Sequence, residues 1–478
     1  MKKLFFAALV IFISCTKKEA LPPATLLRVP NSSQLAWHSM ELNAFVHFTV
    51  NTFTDKEWGY GDESEKVFNP TECNPEQWVS VLKKAGFRGL ILTCKHHDGF
   101  CLWPSQYTEH SVKNSVWKKG KGDLVHEVAE ACKQAGLKFG IYLSPWDRNH
   151  KDYGSPAYVE YYRNQLKELF TLYPDVFEMW FDGANGGDGF YGGKRETRKI
   201  DGRTYYDWPT TLNIVRGFDP SVIFFSDAGP GVRWVGNERG IAGETNWNTI
   251  SSDTLFAGKG GIEKLLNEGS ENGKQWIPAE CDVSIRPGWF YHSSEDSLVK
   301  TPEQLFDIYL KSVGRGSLML LNIPPDKKGL FHENDVKSLQ GFRKLLDEEF
   351  KTNIAFHASA RGGFRGEDQK YSTSNLTDGN DSTYWALDDE YTSGSFEIDF
   401  EKKVKVKYIV LQEFIKLGQR VKSFSVEVQK AGSWSKILEA TTIGRKRILK
   451  LGPIEVDKIR VNILASRACP IISNVEVY

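Results

Sequence analysis

Asp182 and Glu238 stand where acidic residues could do chemistry. Asp182 closes an apolar run, VFEMWFDG (Val176–Gly183), and Gly183, Gly186 and Gly187 follow it. A run of this length bounded by turn residues predicts a buried strand. A carboxylate where such a strand opens into a glycine-rich loop lies at the C-terminal mouth of a sheet, where α/β enzymes keep their reacting groups. Alone, such an aspartate serves equally well as a loop cap. Glu238 ends the turn-forming stretch Arg233-Trp234-Val235-Gly236-Asn237-Glu238 and, taken alone, is a solvated loop residue. Beside a tryptophan in a partly dry loop, its pKa can rise toward neutrality, as a general acid requires. Two carboxylates on separate loops can divide nucleophilic and acid/base work at a glycosidic bond.

Other polar and aromatic residues cluster after predicted strands: His47, Glu57, Trp58, His96, His97, Asp98, Tyr142, Trp146, Trp180, Arg233, Trp234, Arg239, Glu280, Asp282, Arg286 and Trp289. Histidine, tyrosine and arginine supply hydrogen-bonding groups for sugar hydroxyls, and tryptophan supplies an apolar wall for a sugar ring. A metal site is not expected. Adjacent His96 and His97 on a strand would point to opposite faces, and no His-x-His or His-x-x-x-His spacing is present.

Alternating strands and helices must hold these residues. Strands are predicted at Ala44–Val50, Gly89–Cys94, Lys138–Ser144, Val176–Asp182, Val222–Ser226, Ile241–Thr245, Trp276–Asp282 and Leu318–Asn322. Helices are predicted from Pro75 to its stop at Gly86, and at Asp123–Ala135, Pro156–Leu172, Thr210–Arg216, Leu255–Asn267, Thr301–Gly314 and Glu333–Phe350. Asn74 before Pro75 and the closing Gly86 and Gly136 are helix start and stop signals. About eight strand–helix alternations predict an α/β fold, a (β/α)8 barrel, over residues 21–350. Helical periodicity then ends. Short alternating strands over 351–478 (SFEIDF, KVKYIVLQEF, SFSVEVQ, RILKL, KIRVNIL, NVEVY) predict an all-β sandwich packed on the barrel.

Composition narrows the function. Lys+Arg and Asp+Glu both number 61, so the formal net charge is zero, which argues against a nucleic-acid partner. The first twenty residues read as signal and tether. Two lysines precede an apolar segment too short to span a bilayer, ending at Cys15. This resembles a bacterial lipoprotein signal. It implies an exported bacterial protein of the periplasm or outer membrane, anchored to the membrane only by lipid on Cys15. The remaining cysteines show no metal or redox spacing, and Cys94 and Cys281 are expected to be buried thiols.

Several blocks together resemble the α-L-fucosidases of glycoside hydrolase family 29: VHFTVNTF, TCKHHDGF, GIYLSPWD, MWFDGANGG, RWVGNE and SIRPGWFYH. The resemblance covers about Leu35 to Phe350 and implies a retaining α-L-fucosidase with Asp182 as nucleophile. Glu238 matches the acid/base of the subfamily acting on α-1,3/1,4-linked fucose in branched oligosaccharides, with Glu244 and Glu280 as competing candidates. His47, Glu57, Trp58, His96, His97, Tyr142, Trp180, Arg233 and Trp289 are the expected substrate contacts, Trp289 facing the C6 methyl. A Gly/Lys/Arg-rich insert (Gly192–Thr204) makes the loop alignment between the two carboxylates less direct. No cofactor is implied. The C-terminal stretch DGNDSTYW (Asp378–Trp385) resembles the discoidin, or coagulation-factor type C, sandwich; its Asp378–Asp381 loop could hold a structural Ca²⁺. Two rivals remain: a glycan-binding lipoprotein with an inactive barrel, and a related exo-glycosidase for another sugar.

Overall fold

The computed structural model describes residues 19–173 and 175–478. The predicted signal and Cys15 lie outside them. Eight parallel strands close a barrel: β1 (Leu42–Val46), β2 (Gly89–Lys95), β3 (Lys138–Leu143), β4 (Val176–Trp180), β5 (Ile223–Ser226), β6 (Val232–Trp234), β7 (Ala279–Ser284) and β8 (Leu318–Asn322). Each pairs with its neighbours in chain order, and β8 returns to β1, with Leu42 against Met319. The predicted barrel is therefore present, with one strand relocated. The sixth is β6, not Ile241–Thr245, which carries no strand. Only five residues separate β5 from β6, and no helix lies between them.

The outer helices form where local signals place them. Asn74 accepts from the backbone N–H of Gln77 and Pro75 opens the helix Pro75–Ala85; Gly86 closes it at φ 94°. Asp123 accepts from His126 N and starts Leu124–Ala135, while Thr301 and Gln304 form a reciprocal cap on Pro302–Lys311. The predicted helix Leu255–Asn267 shortens to Glu263–Glu268. Gly258, Gly260 and Gly261 break its first half, two of them at positive φ. The main core lies between barrel and helices, and a second, largely aromatic cluster fills the barrel interior: Trp37, Phe45, Tyr142, Trp180 and Phe225 with Ile223, Leu318 and Leu320.

The C-terminal domain is an antiparallel β-structure built on two 20-residue strands, Gly394–Glu413 and Arg447–Ser466. Sequence segments predicted as separate strands are halves of these, bent where the register shifts between Asp399 and Val404. Asp378 ties its own loop, accepting from Asn380 N and Thr383 Oγ1. The two domains share core and polar contacts. Tyr408, Val410 and Ile448 join the barrel core, and buried Gln419 bonds Asn248 N and Asn246 O. Residues 20–26 run along the sandwich before the barrel begins: Leu26 N donates to Leu417 O, and Arg420 donates to Ala24 O. The six described cysteines are free thiols, Cys94 and Cys281 among the buried ones.

Candidate active site

The barrel's C-terminal mouth encloses a cavity of about 260 Å³. That is at the small end of ligand cavities, which run from roughly 300 Å³ upward. Its lining brings together His47, Trp58, His96, His97, Tyr142, Trp180, Asp182, Glu238 and Trp289. These come from the ends of six different strands and the loops that follow them, as barrel topology allows.

Asp182 follows β4 by two residues. Its Oδ2 accepts from the Tyr142 hydroxyl at 2.8 Å and its Oδ1 from Ala184 N at 2.7 Å, so both oxygens are oriented. Nε2 of His97 lies 3.8 Å from Oδ2. Glu238 lines the same cavity and accepts from the Trp289 indole at 3.3 Å. Burial raises its pKa; the indole bond opposes this, and the negative charges of Asp182 and Glu57 add to it. The nearby acid therefore favours the protonated form of Glu238 through Asp182's own charge.

The histidines are neutral donors or acceptors. Burial lowers His47 to about 3 and His97 to about 4, and takes His96 well below its ordinary value. Asn322 gives its Nδ2 hydrogens to Ser284 Oγ and Trp289 O, so its Oδ1 accepts from His47 Nδ1–H. That leaves Nε2 of His47 as an acceptor for a ligand hydroxyl. Ser144 acts likewise: its hydroxyl donates to Trp146 O and accepts from His97 Nδ1, leaving His97 Nε2 free. His96 and His97 both line the cavity because they lie past Lys95, where β2 ends and side-chain alternation lapses.

Two expected contacts go elsewhere. Arg233 is fully buried outside the barrel interior, its guanidinium donating to the carbonyls of Leu266, Ile277 and Trp247. The reason is alternation along β6: Val232 packs inside the barrel and Trp234 lines the cavity, so Arg233 points to the opposite face. Glu57 is one step removed from the cavity. Its carboxylate accepts from Trp289 N, Phe290 N and His292 Nε2, and so holds the Trp289 loop. Of the competing acids, Glu244 lies at the domain interface paired with Arg315 and Arg447, and Glu280 is buried behind Trp180.

Asp227, at the end of β5, lines the cavity and was not singled out from the sequence. It carries the same signal as Asp182, a carboxylate where an apolar strand meets a glycine turn. Burial, opposed by the Gly258 N–H and aided by the charge of Asp182, raises it to about 6. A Cβ on Gly183 would come within 2.1 Å of its Oδ2, so this approach requires glycine. Asp282, also in the lining, accepts from Trp234 Nε1 at 2.8 Å and is pushed well above the carboxylate range by burial and by Glu238.

The family described as alpha-L-fucosidase matches residues 25–349, and the F5/8 type C domain matches residues 357–477. Alpha-L-fucosidase 1 of Arabidopsis thaliana is 41% identical over 462 residues, 95% of this chain and 88% of that protein. A crystal structure of a glycoside hydrolase 29 family member from an unknown rumen bacterium is 44% identical, with a TM-score of 0.85 over 96% of this chain and 78% of that one. A Ruminococcus gnavus GH29 fucosidase in complex with fucose is 33% identical, with a TM-score of 0.86 over 97% of both chains.

Proposed function

The chain belongs to the alpha-L-fucosidase family, and from that premise we propose that it is a retaining, exo-acting α-L-fucosidase for α-1,3/1,4-linked fucose on branched oligosaccharides. The observation that carries this reading is the pair Asp182 and Glu238, facing one small cavity walled by tryptophans and neutral histidines. A cavity this size accepts one terminal sugar ring, which favours exo action.

In the first step Asp182 attacks the anomeric carbon while Glu238 gives its proton to the departing glycosidic oxygen. A fucosyl-enzyme ester forms and the shortened glycan leaves. In the second step Glu238 takes a proton from water, the water oxygen bonds to the anomeric carbon, and Asp182 is released. A retaining pair requires its carboxyl groups about 5–5.5 Å apart. The electrostatics fit the change of role. Asp182's charge helps keep Glu238 protonated. Esterification removes that charge, so the pKa of Glu238 falls when it must act as a base.

His47, His96 and His97 would bond sugar hydroxyls, Trp180 and Trp58 would flank the ring, and Trp289 would cover the C6 methyl. The fucose bound to the Ruminococcus gnavus relative supports that sugar. The linkage preference follows the RWVGNE block that carries Glu238. Export and a lipid anchor on Cys15 complete the proposal. The test is fucose release from a Lewis-type trisaccharide, an α-1,2-fucosyl disaccharide and a nitrophenyl fucoside. Preferential release from the first is expected. Release chiefly from the others overturns the linkage assignment, and no release from any overturns the activity.

A further inference from the structure

Beneath the cavity floor, inside the barrel, lie two carboxyl groups the mechanism does not use. Glu178 on β4 and Glu280 on β7 are both fully buried among Phe45, Ile223, Phe225, Leu318 and Leu320. One oxygen of each has an indole donor: Trp37 Nε1 donates to Glu178 Oε2 at 3.0 Å, and Trp180 Nε1 donates to Glu280 Oε1 at 2.9 Å. The remaining oxygens, Glu178 Oε1 and Glu280 Oε2, find no donor in any other described group. The two carboxyl groups lie close enough to perturb each other's ionisation, so a bond between these two orphaned oxygens is within reach. Two carboxylates have no hydrogen to place in such a bond, and two adjacent charges in an apolar interior are strongly disfavoured.

We propose that Glu178 and Glu280 share a single proton, forming one hydrogen-bonded unit from Trp37 to Trp180 that positions the Trp180 indole as the wall of the sugar site. Trp180 is then held from two sides. Its N–H is fixed by Glu280, and its face stacks on Phe225 with centroids 3.8 Å apart and planes 6° from parallel. The inference rests on the reading of that cavity as a fucose site. It makes Glu280 a positioning residue rather than the acid of the reaction. Burial raises both carboxyl pKa values, consistent with a retained proton.

Amide substitution tests the shared proton. In Glu280→Gln the amide oxygen accepts from Trp180 and the NH₂ donates to Glu178, replacing the proton in kind. Glu178→Gln works symmetrically. In the double variant both inner positions are NH₂ groups with no acceptor between them, and one indole bond must be given up. Each single Gln variant is expected to keep KM and kcat within about threefold of wild type, while the double variant raises KM about tenfold, the size of one buried hydrogen bond lost. Glu280→Ala should raise KM similarly, so that Gln restores what Ala loses. Thermal unfolding of the same proteins needs no substrate: both single Gln variants should melt near wild type and the double variant well below. The proposal is overturned if Glu280→Gln abolishes release while melting like wild type, or if the double variant matches the singles in both assays. If wild type releases no fucose, the functional reading fails, and the melting pattern still decides the shared proton.

Discussion

Removing the Glu57 carboxylate should loosen the Trp289 wall and so weaken catalysis without any direct contact with the sugar. Glu57 Oε2 accepts from Trp289 N at 2.8 Å; Oε1 accepts from Phe290 N at 3.1 Å and pairs with His292 Nε2 at 2.7 Å. His292 is tied in turn to Asp55. Each charge-assisted bond is worth about 1.5–3 kcal/mol. The side chain is 37% exposed, so the lower value applies, and the two backbone bonds together come to about 3 kcal/mol. If the loop must be re-formed to bind substrate, Glu57→Ala lowers kcat/KM by about 100-fold. Glu57→Gln keeps one acceptor oxygen and should lose about tenfold. Steady-state kinetics on the preferred fucosylated oligosaccharide measures both, with KM carrying most of the loss. Activity of Glu57→Ala within twofold of wild type would refute the reasoning.

Trp289→Phe removes the indole bond that lowers the pKa of Glu238, leaving the raising effects of burial and of Asp182. The alkaline limb of the kcat/KM profile should therefore move to higher pH, and a shift to lower pH would contradict the assigned acid. Asp98 is buried, and burial lifts it to about 7 against the bonds from Thr49 and Phe100. A raised folded-state pKa means its contribution is fully present below the ordinary value of 3.8 and is lost as pH rises through about 7. Asp98→Asn, an isostere that does not titrate, should thus raise the melting temperature relative to wild type more at pH 8 than at pH 5. Equal differences at both values would show that Asp98 does not titrate as described.

The barrel was legible because seven of its strands are long enough to show an apolar run, and because capping residues such as Asn74 and Gly86 mark the helices between them. β6 was not, since Val232–Trp234 offers three residues and no periodicity, while Ile241–Thr245 offers only a β-branched residue at each end. Once β6 is located, alternation sends Trp234 to the cavity and Arg233 away from it. Most of the cavity lining could be named from motif blocks, yet the work of Glu57 could not, because its partners Trp289 and Phe290 lie more than 230 residues away. The same holds for Glu178, which reads as one polar residue in an apolar strand until Trp37 and Glu280 meet it inside the barrel.

Trapping of the covalent intermediate tests the central claim most directly. A 2-deoxy-2-fluoro fucosyl fluoride slows both steps but keeps a good leaving group, so the fucosyl-enzyme accumulates. Peptide mass spectrometry of the inactivated enzyme should find one fluorofucosyl group on the peptide carrying Asp182, and none on the Asp182→Ala protein. A label on Glu238, on Asp227, or on no residue despite turnover of natural substrate would contradict the account.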